Sequence, residues 1–167
     1  MFAAVDVHYG DDRVVAAAVL FPSWTQDDVA GEASIHHPPD AAPYTPGAFY
    51  ERELPYLVTL IQRLATPPEV VVIDGYVWLG PERAGLGKHL HDRIGIPVIG
   101  VAKTAFAGAI ATEVLRGESA QPLYITSIGI DEVTAAAHIR GMHGPYRIPT
   151  LLKRADSLAR GNQNANG

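Results

Sequence analysis

Four consecutive β-branched apolar residues, Val70-Val71-Val72-Ile73, run straight into a carboxylate and a glycine, Asp74-Gly75. Bounded by Glu69 on one side and Gly75 on the other, this run predicts a strand buried on both faces. A segment of helical character, 83–93, follows a loop that holds Pro81. A second short strand, 98–101, then leads to Lys103. Strand–helix–strand order implies a parallel pair joined by a crossover. Both strands then end at one sheet edge, and Asp74 and Lys103 are expected side by side there. The carboxyl ends of buried strands are where α/β proteins place their chemistry.

The rest of the chain is arranged around that unit. Residues 2–7, Phe-Ala-Ala-Val-Asp-Val, read as an apolar strand with one acid, Asp6. Gly10-Asp11-Asp12 makes a turn into a second apolar run, 13–21, so a hairpin is expected. A third strand covers 28–36. A proline-rich loop, 38–46, stiffens the backbone around Tyr44. Gly47 opens a helix to about residue 64, with Phe49, Leu57, Leu60, Ile61 and Leu64 at helical spacing and Glu53 on its length. Pro55 kinks that helix or shifts its start. Segment 106–117 carries no clear period. Residues 123–128 read as a strand, Asp131 as the N-cap of a helix over 132–140, and 150–159 as a last helix carrying Asp156. This order predicts an α/β domain over 1–160, a mixed sheet with helices on its faces. The polar tail 161–167 is expected to be disordered.

Composition narrows the class. The 167 residues include 47% hydrophobic and 19% charged side chains and no cysteine, which excludes disulfides and thiolate metal sites. No apolar run approaches the roughly 20 residues of a membrane span. The start of the chain lacks a basic stretch followed by a long apolar core, so a cytoplasmic protein is expected. A net charge of −5 counts against a nucleic-acid binder. A cluster of metal-binding carboxylates would account for part of that acidity.

Asp6, Glu53, Asp74 and Asp156 stand out by context. Carboxylates beside a sheet core are costly to bury unpaired, and a divalent cation resolves the cost. Hard oxygen ligands in this number suit magnesium, with manganese as a substitute. Such an ion activates water and neutralises charge on a phosphodiester, and Lys103 adds a compact positive charge. Taken singly, Glu53 and Asp156 read more readily as caps or solvated surface groups. Asp6 and Asp74 are stronger, because each ends an apolar run.

These residues resemble a known family. Ala4-Val5-Asp6-Val7, Pro43-Tyr44-Thr45-Pro46-Gly47, Arg52-Glu53-Leu54-Pro55 and Val72-Ile73-Asp74-Gly75 appear in order. Pro81-x-Arg83-x-Gly85-Leu86-x-x-His89-Leu90, Pro97-Val98-Ile99-Gly100-Val101-Ala102-Lys103, Tyr146-Arg147-Ile148-Pro149 and Arg154-Ala155-Asp156 follow. Together they are similar to the motifs of endonuclease V, a metal-dependent nuclease of the ribonuclease H-like fold that cuts near deoxyinosine in DNA or inosine in RNA. The resemblance implies Asp6, Glu53, Asp74 and Asp156 as metal-site acids and Lys103 at the scissile phosphate. It implies Tyr44 as a wedge replacing a displaced base, and Gly47 and Gly75 as backbone approaching the flipped hypoxanthine. Arg83 and His89 become contacts to substrate. The partner is inosine-containing or distorted nucleic acid, the setting is nucleic-acid repair or inosine-RNA cleavage, and a monomer is expected.

Several positions depart from the family pattern, among them Ile130 and Asp131, which stand after Gly129 where the family continues with a histidine and a basic residue. Tyr76 and Gly80 stand where the family has histidines, and the family's helical extension ahead of the first strand is expected to be lacking. A different class of function is therefore weighed beside the nuclease: a non-catalytic or re-targeted nucleic-acid-binding module on the same fold. His36 and His37 read as a surface pair, Trp24 and Trp78 as partly buried core, and Trp78 alternatively as a stacking residue.

Overall fold

The computed structural model describes residues 1–39 and 49–161. A seven-stranded mixed sheet forms its centre. In chain order the elements are β1 (Phe2–Tyr9), β2 (Val14–Phe21), β3 (Gly31–His37), α1 (Phe49–Gln62), β4 (Val71–Asp74), β5 (Trp78–Gly80) and β6 (Arg83–Ala84). Then come α2 (Leu86–Ile94), β7 (Val98–Ala102), β8 (Thr112–Val114), β9 (Leu123–Ile128), α3 (Glu132–Gly141) and α4 (Thr150–Ala159). The sheet order is β3-β2-β1-β4-β7-β9-β8, and β5 with β6 forms a separate small hairpin.

The three-strand meander and the parallel crossover share one sheet because β1 pairs in parallel with β4, and β4 in parallel with β7. β9 closes the other side antiparallel to β7. The consecutive β-branched residues of β4 are buried because both sheet faces are covered. One face packs Ala4, Val72, Ile99 and Val101 against Ile139, Leu151 and Ala155 of α3 and α4. The other packs Ala3, Val5, Val71, Ile73 and Val98 against Leu57, Leu60 and Ile61 of α1 and Leu86 and Leu90 of α2. Alternation along a strand sends neighbours to opposite faces, so every second residue feeds a different core. This is the ribonuclease H-like mixed sheet flanked by helices that the motifs imply. Among the described residues no helix is long and apolar enough to cross a membrane.

Helix ends follow local chemistry. Asp131 caps α3, its carboxylate accepting from the Thr134 amide at 3.1 Å. Gly95 closes α2 in the left-handed region at φ 71°. Pro55 lies inside α1 on an exposed side, and Glu51, whose carbonyl loses its helical partner to the proline, is an exposed residue as well.

Three expectations change. The third strand starts at Gly31, not at 28. An edge strand, β8, occupies part of the segment that carried no period, and it pairs with β9 through Thr112, Glu113 and Val114. Arg83 is not helical. It pairs with Gly80 in the β5–β6 hairpin, and α2 begins only at Leu86, beyond an extended Gly85. The reason is close approach. A Cβ at Gly85 would lie 2.6 Å from the Tyr76 carbonyl oxygen, and one at Gly87 would lie 2.6 Å from Val77 Cγ2. The glycines let the chain fold back over 76–77 before the helix begins.

Candidate active site

Strand β4 ends in Asp74 and β7 runs out one residue before Lys103. Because the two strands are parallel neighbours with Asp74 opposite Val101, the side chains meet: Lys103 Nζ lies 3.3 Å from Asp74 Oδ2. Gly75 follows with φ +140°, and its amide donates to the Val101 carbonyl at 3.0 Å. That link carries the ladder one residue past the carboxylate, so both functional groups sit on ordered backbone.

Asp6 reaches the same edge from β1, and Asp156 from the middle of α4, which packs across β1 and β2. Asp6 is half-buried. Burial, the charge of Asp74 and a hydrogen bond with Asp156 push its carboxyl up to about 7. Burial also pushes Asp156 up, but Arg160, at 2.9 Å, the hydrogen bond from Asp6 and the charge of Lys103 outweigh it and hold Asp156 below the usual carboxylate range. Asp6 therefore keeps the shared proton while Asp156 is ionised.

Glu53 comes from α1 and is only 8% exposed. Burial first, then the charges of Asp6 and Asp74, push it up to about 8, with Arg52 offsetting part of the effect. Arg52 itself lies with its guanidinium carbon 3.8 Å from the centre of the Tyr9 ring, which fixes this part of α1 against β1. Asp6 thus feels the charges of Asp74 and Asp156, and Glu53 those of Asp6 and Asp74. Among the described residues no three of these acids close into a ready-made metal-ligand group.

Two carboxyls whose pKa rises on folding make stability depend on pH. In the unfolded chain Asp6 and Glu53 titrate near 4; in the fold they titrate at about 7 and about 8. Between those limits the folded chain binds more protons at these two groups, so their contribution to stability is full below about pH 4 and is lost as pH rises toward about 8. Metal-free protein is expected to melt several degrees lower at pH 8 than at pH 5. Asp6→Asn should recover much of that loss at pH 8 and little at pH 5. Calorimetry at the two pH values checks both.

A cavity of about 290 Å³ opens beside the acids. Asp6, Asp74, Asp156 and Lys103 line its polar side; Ala4, Val72, Val101, Ile148 and Leu152 line its apolar side. Tyr146, Arg147 and Ile148 form another wall, and two arginines hold the segment that carries them. Arg116 is 5% exposed and donates to the carbonyls of Met142, Gly144, Tyr146 and Arg147. Arg147 donates in turn to the carbonyls of Gln121, Pro122 and Lys103. Arg116→Met keeps the bulk and removes the donors. It is expected to destabilise the protein by about 3 kcal/mol or more, since each buried carbonyl left unpaired costs ~1–3 kcal/mol. Urea unfolding checks this.

Of the remaining residues singled out by sequence, Tyr44 and Gly47 lie outside the described residues. Gly75 adjoins Asp74 but does not line the cavity. Arg83 places its guanidinium carbon 5.4 Å from the Phe106 ring centre, and His89 stacks on Tyr50 at 3.9 Å and 18°. Both are away from the cavity lining. Tyr76, in place of a family histidine, donates its hydroxyl to the Thr104 carbonyl at 2.7 Å and lies 6.1 Å from the Phe106 ring. It ties the loop after Asp74 to the loop after Lys103. Arg116 and Lys153 escaped the sequence reading. A lone arginine in an unpatterned segment and a lysine on an amphipathic helix carry no local signal of a partner.

A profile of the Endonuclease V family matches residues 1–140. An endonuclease V of Streptomyces avermitilis is 37% identical over 179 aligned positions, covering 93% of this chain and 77% of that protein. The crystal structure of endonuclease V from the same organism superposes with a TM-score of 0.81 at 34% identity, covering 96% of this chain and 79% of the other. An endonuclease V of Ciona intestinalis, in complex with a 23mer DNA containing an inosine followed by a ribo-adenosine, gives a TM-score of 0.82 at 19% identity, covering 96% and 83%. That last likeness is one of fold.

Proposed function

This chain belongs to the endonuclease V family, and from that membership we propose that it is a magnesium-dependent endonuclease that hydrolyses a phosphodiester bond near inosine or deoxyinosine in nucleic acid. The observation that carries the reading is the meeting of Asp6, Asp74, Asp156 and Lys103 at one cleft beside the carboxyl ends of β4 and β7.

The donor set fits the ion. Asp6, Asp74 and Asp156 share one cleft, Glu53 is close enough to feel two of them, and Asp6 and Glu53 are largely withdrawn from water. A divalent cation offsets both the like charge and the burial. The open arrangement suits magnesium, which keeps several waters and is held by one or two carboxylates plus phosphate oxygens. Asp6 and Asp74 would be the central ligands, with Glu53 and Asp156 beside them. Bound there, magnesium or manganese supplies charge neutralisation at phosphorus and activation of the attacking water.

The chain's own residues do the positioning. Asp74 and Asp6 fix the site on two neighbouring parallel strands. Lys103 faces the same point and stabilises charge that builds on the non-bridging phosphate oxygens. Arg147 holds the Lys103 carbonyl, so the backbone that carries the ammonium does not drift. Arg160 keeps Asp156 ionised. Water attack on phosphorus breaks one P–O bond and leaves 3′-hydroxyl and 5′-phosphate ends.

The test is a cleavage assay on matched DNA and RNA oligonucleotides, with and without one inosine, in magnesium, manganese or chelator. Metal-dependent cutting near inosine is the expected result. Cutting with no preference for inosine would keep the nuclease and relocate its specificity to the altered loop of Tyr76 and Gly80. Binding without cutting in either metal would overturn the reading in favour of a binding module.

A further inference from the structure

We propose that the cavity beside the acids is a second nucleoside subsite: it seats an unpaired base of the strand being cut, with Tyr146 stacked on that base and Lys153 meeting its phosphate. The proposal rests on the nuclease reading of the same site.

Three observations carry it. First, the cavity is larger and more apolar than a metal or a phosphate needs. Its 290 Å³ approaches the lower bound of about 300 Å³ for pockets that enclose small ligands. Ile148 and Leu152, the half-buried apolar side chains on its wall, offer nothing to an ion, but they suit the flat apolar face of a base.

Second, Tyr146 lines the cavity and is 73% exposed, on a backbone that is clamped. Arg116 donates to the Tyr146 carbonyl at 2.7 Å and to the carbonyls of Gly144 and Arg147 that flank it. An exposed aromatic ring on fixed backbone loses little freedom on docking, and base–aromatic stacking is indifferent to base identity.

Third, Lys153 lines the same cavity, is exposed, and among the described residues forms no ion pair with a carboxylate. Lys103 pairs with Asp74; Lys153 is left to attract an anion. An apolar floor, an exposed ring and a spare cation, next to acids that handle a phosphodiester, together match a nucleotide. The base seated here is not the one that the backbone at Gly75 would receive, because Gly75 does not line this cavity.

The experiment uses the full chain and an inosine-containing DNA strand in which a single 2-aminopurine is stepped along the positions flanking the inosine. Binding is read in chelator and in calcium by fluorescence, and cleavage in magnesium is read on the same samples. Wild-type protein and Tyr146→Phe should quench the probe at one flanking position; Tyr146→Ala should not, and should bind about five- to a hundredfold more weakly. Lys153→Ala should weaken binding and reduce the salt dependence by about one phosphate contact. Melting temperatures should match wild type, since both side chains are exposed. If wild type cuts near inosine while no position is quenched more than in Tyr146→Ala, and affinities agree, the subsite is overturned and the nuclease reading stands. If wild type neither binds nor cuts any strand, both fall.

Discussion

Asp74→Ala is expected to abolish cleavage, lowering the rate by about a thousandfold or more, while the fold is kept. The size follows from the place. Asp74 ends the strand at the middle of the sheet, faces Lys103 at 3.3 Å and adds its charge to both Asp6 and Glu53. Removing it would take one of the two proposed central ligands from the cation and leave Lys103 without its partner. Losing a single preorganised electrostatic contact at a reacting centre costs about 10²–10³ in rate, and a ligand that also anchors an ion costs no less. Stability moves the other way. The Asp74–Lys103 pair is largely exposed and contributes little. Loss of the Asp74 charge relieves repulsion on Asp6 and Glu53, so metal-free protein at pH 8 should melt no lower than wild type. Cleavage kinetics and calorimetry on one preparation separate the two effects. Wild-type cutting by a clean, folded variant would refute the assignment of the site.

Gly100→Ala is expected to destabilise the protein by about 3 kcal/mol or more and to disable the site from a distance. Gly100 lies within β7 between Ile73 of β4 and Thr126 of β9. A Cβ there would meet the Gly75 carbonyl oxygen at 2.6 Å, Thr126 Oγ1 at 2.8 Å and the Val77 nitrogen at 2.9 Å. Two of those three are backbone and cannot rotate away. The third accepts the buried Val77 amide at 2.8 Å. One methyl group must therefore push the loop after Asp74 off the sheet or break that hydrogen bond. Overpacking costs ~1–3 kcal/mol and an unpaired buried amide ~1–3 kcal/mol. For a chain of this size the melting temperature should fall by roughly 10 °C. Cleavage by the folded fraction should fall as well, because Gly75 and Asp74 move with the loop. An unchanged melting temperature would mean that the strand accommodates the methyl group by a shift not foreseen here.

Much of this arrangement was legible from the chain. Four β-branched residues in a row have no surface to face, which places β4 at the centre. The order of elements makes β4 and β7 parallel, and parallel strands that end in Asp74 and near Lys103 must bring them together. The last helix and the Asp131 cap follow from turn chemistry and spacing. Other parts were illegible for physical reasons. A two-residue strand such as β6 is too short to carry a period, so Arg83 read as the start of a helix. The Gly85 and Gly87 contacts that delay α2 are with residues 76–77, and closeness of that kind leaves no local pattern. Arg116 is buried by carbonyls about 26 to 31 residues away. Nothing beside it in sequence announces them. Tyr76 read as the loss of a histidine, whereas its hydroxyl adds a tie from the Asp74 loop to Thr104. The roles of Tyr44 and Gly47 fall on residues outside those described.

The clamp on 142–147 also bears on how this wall can change over generations. Arg116 grips only main-chain oxygens. A carbonyl is the same whichever side chain its residue bears. A mutation at 146 can therefore alter what the wall presents to a visitor while its scaffold stays seated. One costly, hidden arginine makes the neighbouring surface free to vary, so new preferences can be sampled there without refounding the fold.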